Sequence, residues 1–108
     1  MKISVLGSEY EIIQRRVEED CKLNENIVGY CDPSVRRIVV ADANDYVGNY
    51  DNMEHARKET LRHEIIHAFI NESGLAGCSE WATNEEMIDW VAIQFPKLLQ
   101  CFNCAEAL

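Results

Sequence analysis

Residues 53–74 read MEHARKETLRHEIIHAFINESG, and the reading of this stretch decides the fold. Leu61, Ile65, Ala68 and Phe69 recur at helical spacing and make one apolar stripe. His55, Glu59 and Arg62 fall elsewhere around the axis. No Gly or Pro interrupts residues 53–73, and Gly74 stands where a helix would stop. The pattern predicts a helix of about 20 residues, roughly 30 Å long.

Downstream, residues 75–82 read as a loop. Thr83 or Asn84 can cap a second helix, and Glu85 and Glu86 suit its first turn. Its apolar positions include Met87, Ile88, Val91, Ala92 and Phe95, with Trp90 expected in the core. Pro96 is expected to break or bend this helix, which can resume through Leu98, Leu99 and Phe102. The stripe Phe95, Leu98, Leu99, Phe102 reads as core or as a contact between copies.

Upstream, the pattern turns β-like. Ile3-Ser4-Val5-Leu6 is a short run broken by Gly7-Ser8. Residues 9–23 are ambiguous; the reading is a strand at the start, passing into a helical turn near Val17–Leu23. Ile27–Cys31 and Val35–Ala41 flank Asp32-Pro33-Ser34 and read as a hairpin. The expected fold class is therefore α+β. A small antiparallel sheet, from the N-terminal strand plus the hairpin, packs on the two helices in one domain spanning residues 1–108.

Composition narrows the function classes. The 108 residues are 47% hydrophobic and 27% charged, too apolar for a disordered chain. The apolar runs are too short for a membrane span or a signal peptide, so a soluble, cytoplasmic protein with no membrane partner is expected. Nineteen acidic residues against ten basic ones give a formal charge of −9, which disfavours a nucleic acid partner. Arg36-Arg37 is expected as a solvated strand edge. The five cysteines, Cys21, Cys31, Cys78, Cys101 and Cys104, are expected to be reduced and to pack as small hydrophobes. Cys101 and Cys104 form a CxxC without a second pair at matching spacing to complete a zinc site.

His63-Glu64-Ile65-Ile66-His67 carries the chemistry. On a helix, residues four apart share a face, so both imidazoles can reach one metal ion. Glu64 is rotated by about 100°, which places its carboxylate beside a water on that ion. A catalytic zinc site takes three protein ligands and leaves one position open. Asn84-Glu85-Glu86-Met87-Ile88-Asp89 opens the second helix, and a carboxylate there can complete a His₂Glu set. His55, two turns before His63, cannot reach the same ion from the same helix.

HExxH followed by a helix bearing Asn-Glu-x-x-x-Asp resembles the gluzincins, the thermolysin-like zinc peptidases. In size and order the chain most resembles the minigluzincins and small phage-type HExxH proteins. The resemblance covers roughly residues 27–100. It implies a zincin-like fold and a zinc (Zn2+) cofactor held by His63, His67 and Glu85. Glu86 is the alternative third ligand: 18 residues separate it from His67, against 17 for Glu85. It implies Glu64 as general base, Asp89 as the group that orients a zinc histidine, His63, and Asn84 as a support for the other histidine. It also implies an edge strand, expected at Val35–Ala41, that pairs with an extended peptide or protein substrate. Larger gluzincins supply an oxyanion-stabilising His or Tyr from a further subdomain; the candidates here are Tyr46, Tyr50 and His55. The expected function is a zinc-dependent peptidase. The alternative is a zinc-binding module that is latent or non-proteolytic, with Cys78, Cys104 or residues 96–108 closing the site.

Overall fold

The computed structural model describes residues 1–45 and 52–108. Four strands, β1 (Lys2–Val5), β2 (Ser8–Arg15), β3 (Gly29–Asp32) and β4 (Arg37–Ala41), precede two helices, α1 (Met53–Glu72) and α2 (Glu85–Cys104). The α+β class expected from the sequence is what the chain forms, but the sheet is mixed rather than antiparallel. Its order is β1-β2-β4-β3, with β2 and β4 parallel and the other two pairs antiparallel.

The reason lies in residues 9–23. The strand β2 runs through Ile12, Ile13 and on to Arg15, where a helix was the competing reading. Paired on both sides, its backbone is satisfied by β1 and by β4, which outweighs a weak helical spacing. A single turn of 3₁₀-helix follows at Val17–Glu19. The chain then crosses to the far edge as β3 and turns back into the gap as β4. The expected edge strand is therefore internal, and β3, with β1 at the far side, is an edge. The apolar run Ile38-Val39-Val40-Ala41 is buried throughout, as a strand covered on both faces requires.

Each face of β4 meets a different core. Ile38 and Val40 pack with Val5, Tyr10 and Ala68, against which Leu61 and Ile65 of α1 close. Val39 and Ala41 pack with Leu23, beneath Ile13, Val17, Val28 and Tyr30. The helix thus lies on one face, and the segment between β2 and β3 covers the other. A third cluster, Ile70, Ala82 and Ile88, joins the far side of α1 to α2.

The helices begin and end where local chemistry directs. The Asn52 side chain accepts the His55 N–H at the start of α1, and Gly74 follows its end at φ +85°. Asn84 caps α2 by accepting the Met87 N–H at 2.9 Å. Of the break or bend expected at Pro96, the break does not occur: α2 runs through it and on past Leu98, Leu99 and Phe102 to Cys104. A proline at 96 leaves the Ala92 carbonyl without its helical donor. Arg62 of α1 supplies a replacement: its Nε donates to Ala92 O at 2.6 Å.

Other packing expectations are corrected. Trp90 is 57% exposed, not core, because its face of α2 points away from α1. Of the two readings of the stripe Phe95, Leu98, Leu99, Phe102, core is excluded: Phe95, Leu99 and Phe102 are exposed, and Leu98 is half-buried. Arg36 and Arg37 are not a free edge: Arg36 pairs with Glu72, and Arg37 opens the internal strand β4. All five cysteines are free thiols, but only Cys31 packs against the core, and the other four are exposed. Among the described residues, no helix is long and apolar enough to cross a membrane.

Candidate metal centre

The helix α1 carries Glu59, His63, His67 and Asn71 at intervals of four, so all four follow one side of the helix. They form the floor of a cleft of about 510 Å³. The edge strand β3 and the preceding Asn26–Val28 make one wall, and Glu85, Asp89 and Ala92 of α2 make the other. The walls come close together at Gly29. A Cβ there would lie 2.6 Å from the Thr60 methyl and 3.3 Å from Val39 O, so only glycine lets β3 approach α1 this nearly.

Three side chains expected to act together do converge. The Nε2 atoms of His63 and His67 are 3.1 Å apart. Glu85 Oε2 lies 3.0 Å from His63 Nε2, and Glu85 Oε1 lies 3.1 Å from His67 Nε2. His63, His67 and Glu85 together could hold a metal ion. Glu86, the alternative, stands outside this group. One residue along the helix turns the side chain by about 100°, away from the histidines.

The fourth residue decides the chemistry. Asp89 Oδ1 sits 2.7 Å from His63 Nδ1. A carboxylate there accepts a hydrogen bond from Nδ1–H, and the neutral ring then presents Nε2 with a lone pair. That lone pair faces a Glu85 oxygen, which is also an acceptor. Two acceptors at 3.0 Å repel unless a positive charge, a proton or a metal ion, sits among them. Two imidazoles and a carboxylate are the donor types that zinc takes, whereas calcium and magnesium prefer oxygen alone. Four-coordinate zinc with bonds of about 2.0–2.1 Å holds its ligands roughly 3.3 Å apart. The separations of 3.0–3.1 Å need only a few tenths of an ångström of opening.

Glu64 is buried, and it lines the same cleft. Burial raises its pKa from 4.5 to about 7; the negative Glu85 and Asp89 add to the rise, and His63 opposes it. Burial likewise pushes the Cys31 thiol, on β3, up to about 11, with Glu64 and Asp32 reinforcing it.

The Asn84 side-chain oxygen caps α2, and among the described residues no hydrogen bond joins Asn84 to His63 or His67. At the opposite end of the motif, the Asn71 side chain donates to His67 O at 2.8 Å. Of the oxyanion candidates, Tyr46 and Tyr50 lie outside the described residues. His55 does not line the cleft; it faces Glu59 at 3.8 Å near the start of α1. Sequence reasoning passed over Glu59, Asn71 and the β3 wall. The four-residue interval that joined His63 to His67 also reaches Glu59 and Asn71 and was the available signal.

No family model, curated protein or solved structure matches this chain.

Proposed function

We propose that the chain is a zinc-dependent peptidase with Glu64 as its general base. One observation carries the reading: two histidines and Glu85 converge on a point beside a buried carboxylate, in a cleft walled by an unpaired strand edge. When bound, zinc lowers the pKa of a water to about 7 and polarises a carbonyl oxygen. His63, His67 and Glu85 hold the ion, and Asp89 keeps His63 in the tautomer that offers Nε2. Glu64, buried where it lines the cleft, takes the proton of the attacking water and passes it to the leaving amine. The free edge of β3 offers backbone N–H and C=O groups to an extended peptide or protein substrate. This replaces Val35–Ala41, the strand expected from the sequence to do so.

The test is direct. Protein purified without added chelator is expected to hold close to one zinc per chain, and His63→Ala or Glu85→Ala to hold far less. Cleavage of a denatured protein such as casein should then fall about 10³-fold in Glu64→Gln, with zinc retained. Cleavage unchanged in Glu64→Gln removes the proposed base. A zinc-loaded chain that cleaves no peptide establishes the alternative, a latent or non-proteolytic zinc module.

A further inference from the structure

The helix α2 bears one continuous apolar stripe: Ile88, Ala92, Phe95, Leu99 and Phe102. The spacings are four, three, four and three residues, the interval that keeps a seam facing another helix. The stripe changes environment halfway. Ile88 and Ala92 are fully covered by the body of the protein. Phe95, Leu99 and Phe102 are 45%, 40% and 42% exposed. Past Ala92, every residue of α2 other than Gln94 and Leu98 is exposed.

We propose that this second half of the stripe is where two copies of the chain meet, helix against helix about a twofold axis. Charge selects the occupant. A chain of formal charge −9 repels its own copy over most of its surface. Between Asp89 and Glu106 there is no carboxylate, the longest such run in the sequence, and the one charge is Lys97. Lys97 falls between Phe95 and Leu99 in sequence and so points away from their seam. The stripe is centred near Leu99, so a twofold contact sets like residues against each other, as an isologous interface requires. A lipid surface is the poorer fit. An interfacial helix draws its binding from several Lys or Arg on the polar face, and this helix carries a single lysine.

This proposal does not depend on the metal or on hydrolysis. The experiment is sedimentation equilibrium on the full chain in reducing buffer, between about 1 and 100 µM. The chain is expected to show a reversible dimer. Leu99→Asp and Phe102→Asp each raise its dissociation constant at least about 30-fold, the loss typical of a central apolar anchor. Both positions are exposed in one copy, so the far-UV circular dichroism of the variants should match the parent. A mixture of Leu99→Asp with Leu99→Lys is expected to restore association. A parent that stays monomeric at 100 µM overturns the proposal, and so does a dimer that both variants leave intact. Sedimentation with neutral phosphatidylcholine vesicles in place of self-association would assign the face to lipid and overturn it as well.

Discussion

Two glutamates on α1, eight residues apart, are held in opposite ways. Glu72 is surrounded by donors: the Ser8 hydroxyl, the Tyr10 hydroxyl at 2.8 Å and Arg36 at 3.4 Å. The hydroxyls of Ser8 and Tyr10 hold its carboxyl below the ordinary range, outweighing desolvation, and Arg36 adds to this. Glu64 is buried, and among the described residues no hydroxyl or guanidinium donates to it. Its pKa goes up to about 7. Donors fix a carboxylate in its charged form and turn it into a structural anchor. Burial without donors leaves a carboxylate that readily takes a proton. One helix thus provides both the tie to the sheet and the group best suited to move a proton.

The contrast is broken most severely at Glu64. Its charged form is costly to bury, so the amide of Glu64→Gln should raise the stability of the metal-free chain at pH 8 by about 1–3 kcal/mol. Urea unfolding after chelation measures this. A loss of stability would show that Glu64 is an anchor like Glu72.

At the other end the sign reverses. Glu72→Met leaves the buried Tyr10 hydroxyl without its acceptor, and an unpaired buried hydroxyl costs about 1–3 kcal/mol. Tyr10→Phe in the Glu72→Met background should recover part of that loss. The pH profile follows from the same pair. Glu72 has a depressed folded pKa, so its contribution is complete above the ordinary carboxylate range and fades as pH falls through the folded value. Burial raises Tyr10 from 10.0 to about 12, with the Glu72 hydrogen bond adding to it. Its contribution is complete below pH 10 and fades toward 12. Tyr10→Phe should remove Tyr10's share of the alkaline loss, leaving the share of Tyr30 and Cys31, which are raised to about 12 and about 11 chiefly by burial, and should leave the Glu64 end of α1 unchanged.

Much of the site could be read in residue spacing, because a helix converts spacing into direction. His63 and His67 share a face by their interval of four, and Glu85 and Asp89 do so by the same interval. A search that keeps both carboxylates together therefore favours Glu85 over Glu86. The sheet was less legible. Residues 9–15 carry apolar side chains at spacings that suit a helix or a strand, and only the two neighbouring strands decide between them. Nothing local to Ile38–Ala41 says that its neighbour will be parallel. Trp90 was misread because a large apolar side chain on an amphipathic helix suggests a core. The side of α2 that meets α1 is set by Ile88 and Ala92. At Pro96 the sequence left a break open for a different reason: the donor that satisfies the carbonyl it leaves free comes from Arg62, distant in sequence and on another element.

That donor offers the finest test of the contrast. Arg62 precedes His63 and ties α1 to the α2 carbonyl that Pro96 leaves free. It therefore holds α2 over the Glu64 end of α1 and does not reach the Glu72 end. Arg62→Met is expected to cost about 1 kcal/mol, the worth of an ordinary hydrogen bond. Pro96→Ala restores a backbone donor to Ala92, so adding Arg62→Met to it should cost measurably less than in the parent. A double-mutant cycle in urea reads this coupling. Zinc affinity then separates two roles for Arg62. If it only satisfies a carbonyl, Pro96→Ala rescues stability and zinc binding together. If it also sets the distance from Glu85 to the histidines, stability returns while zinc binding stays weakened. The structure favours the second outcome, because the restored donor lies within α2 and does not replace the hydrogen bond between the two helices. Additive effects in the cycle would show that the Arg62–Ala92 contact carries no part of the helix through Pro96.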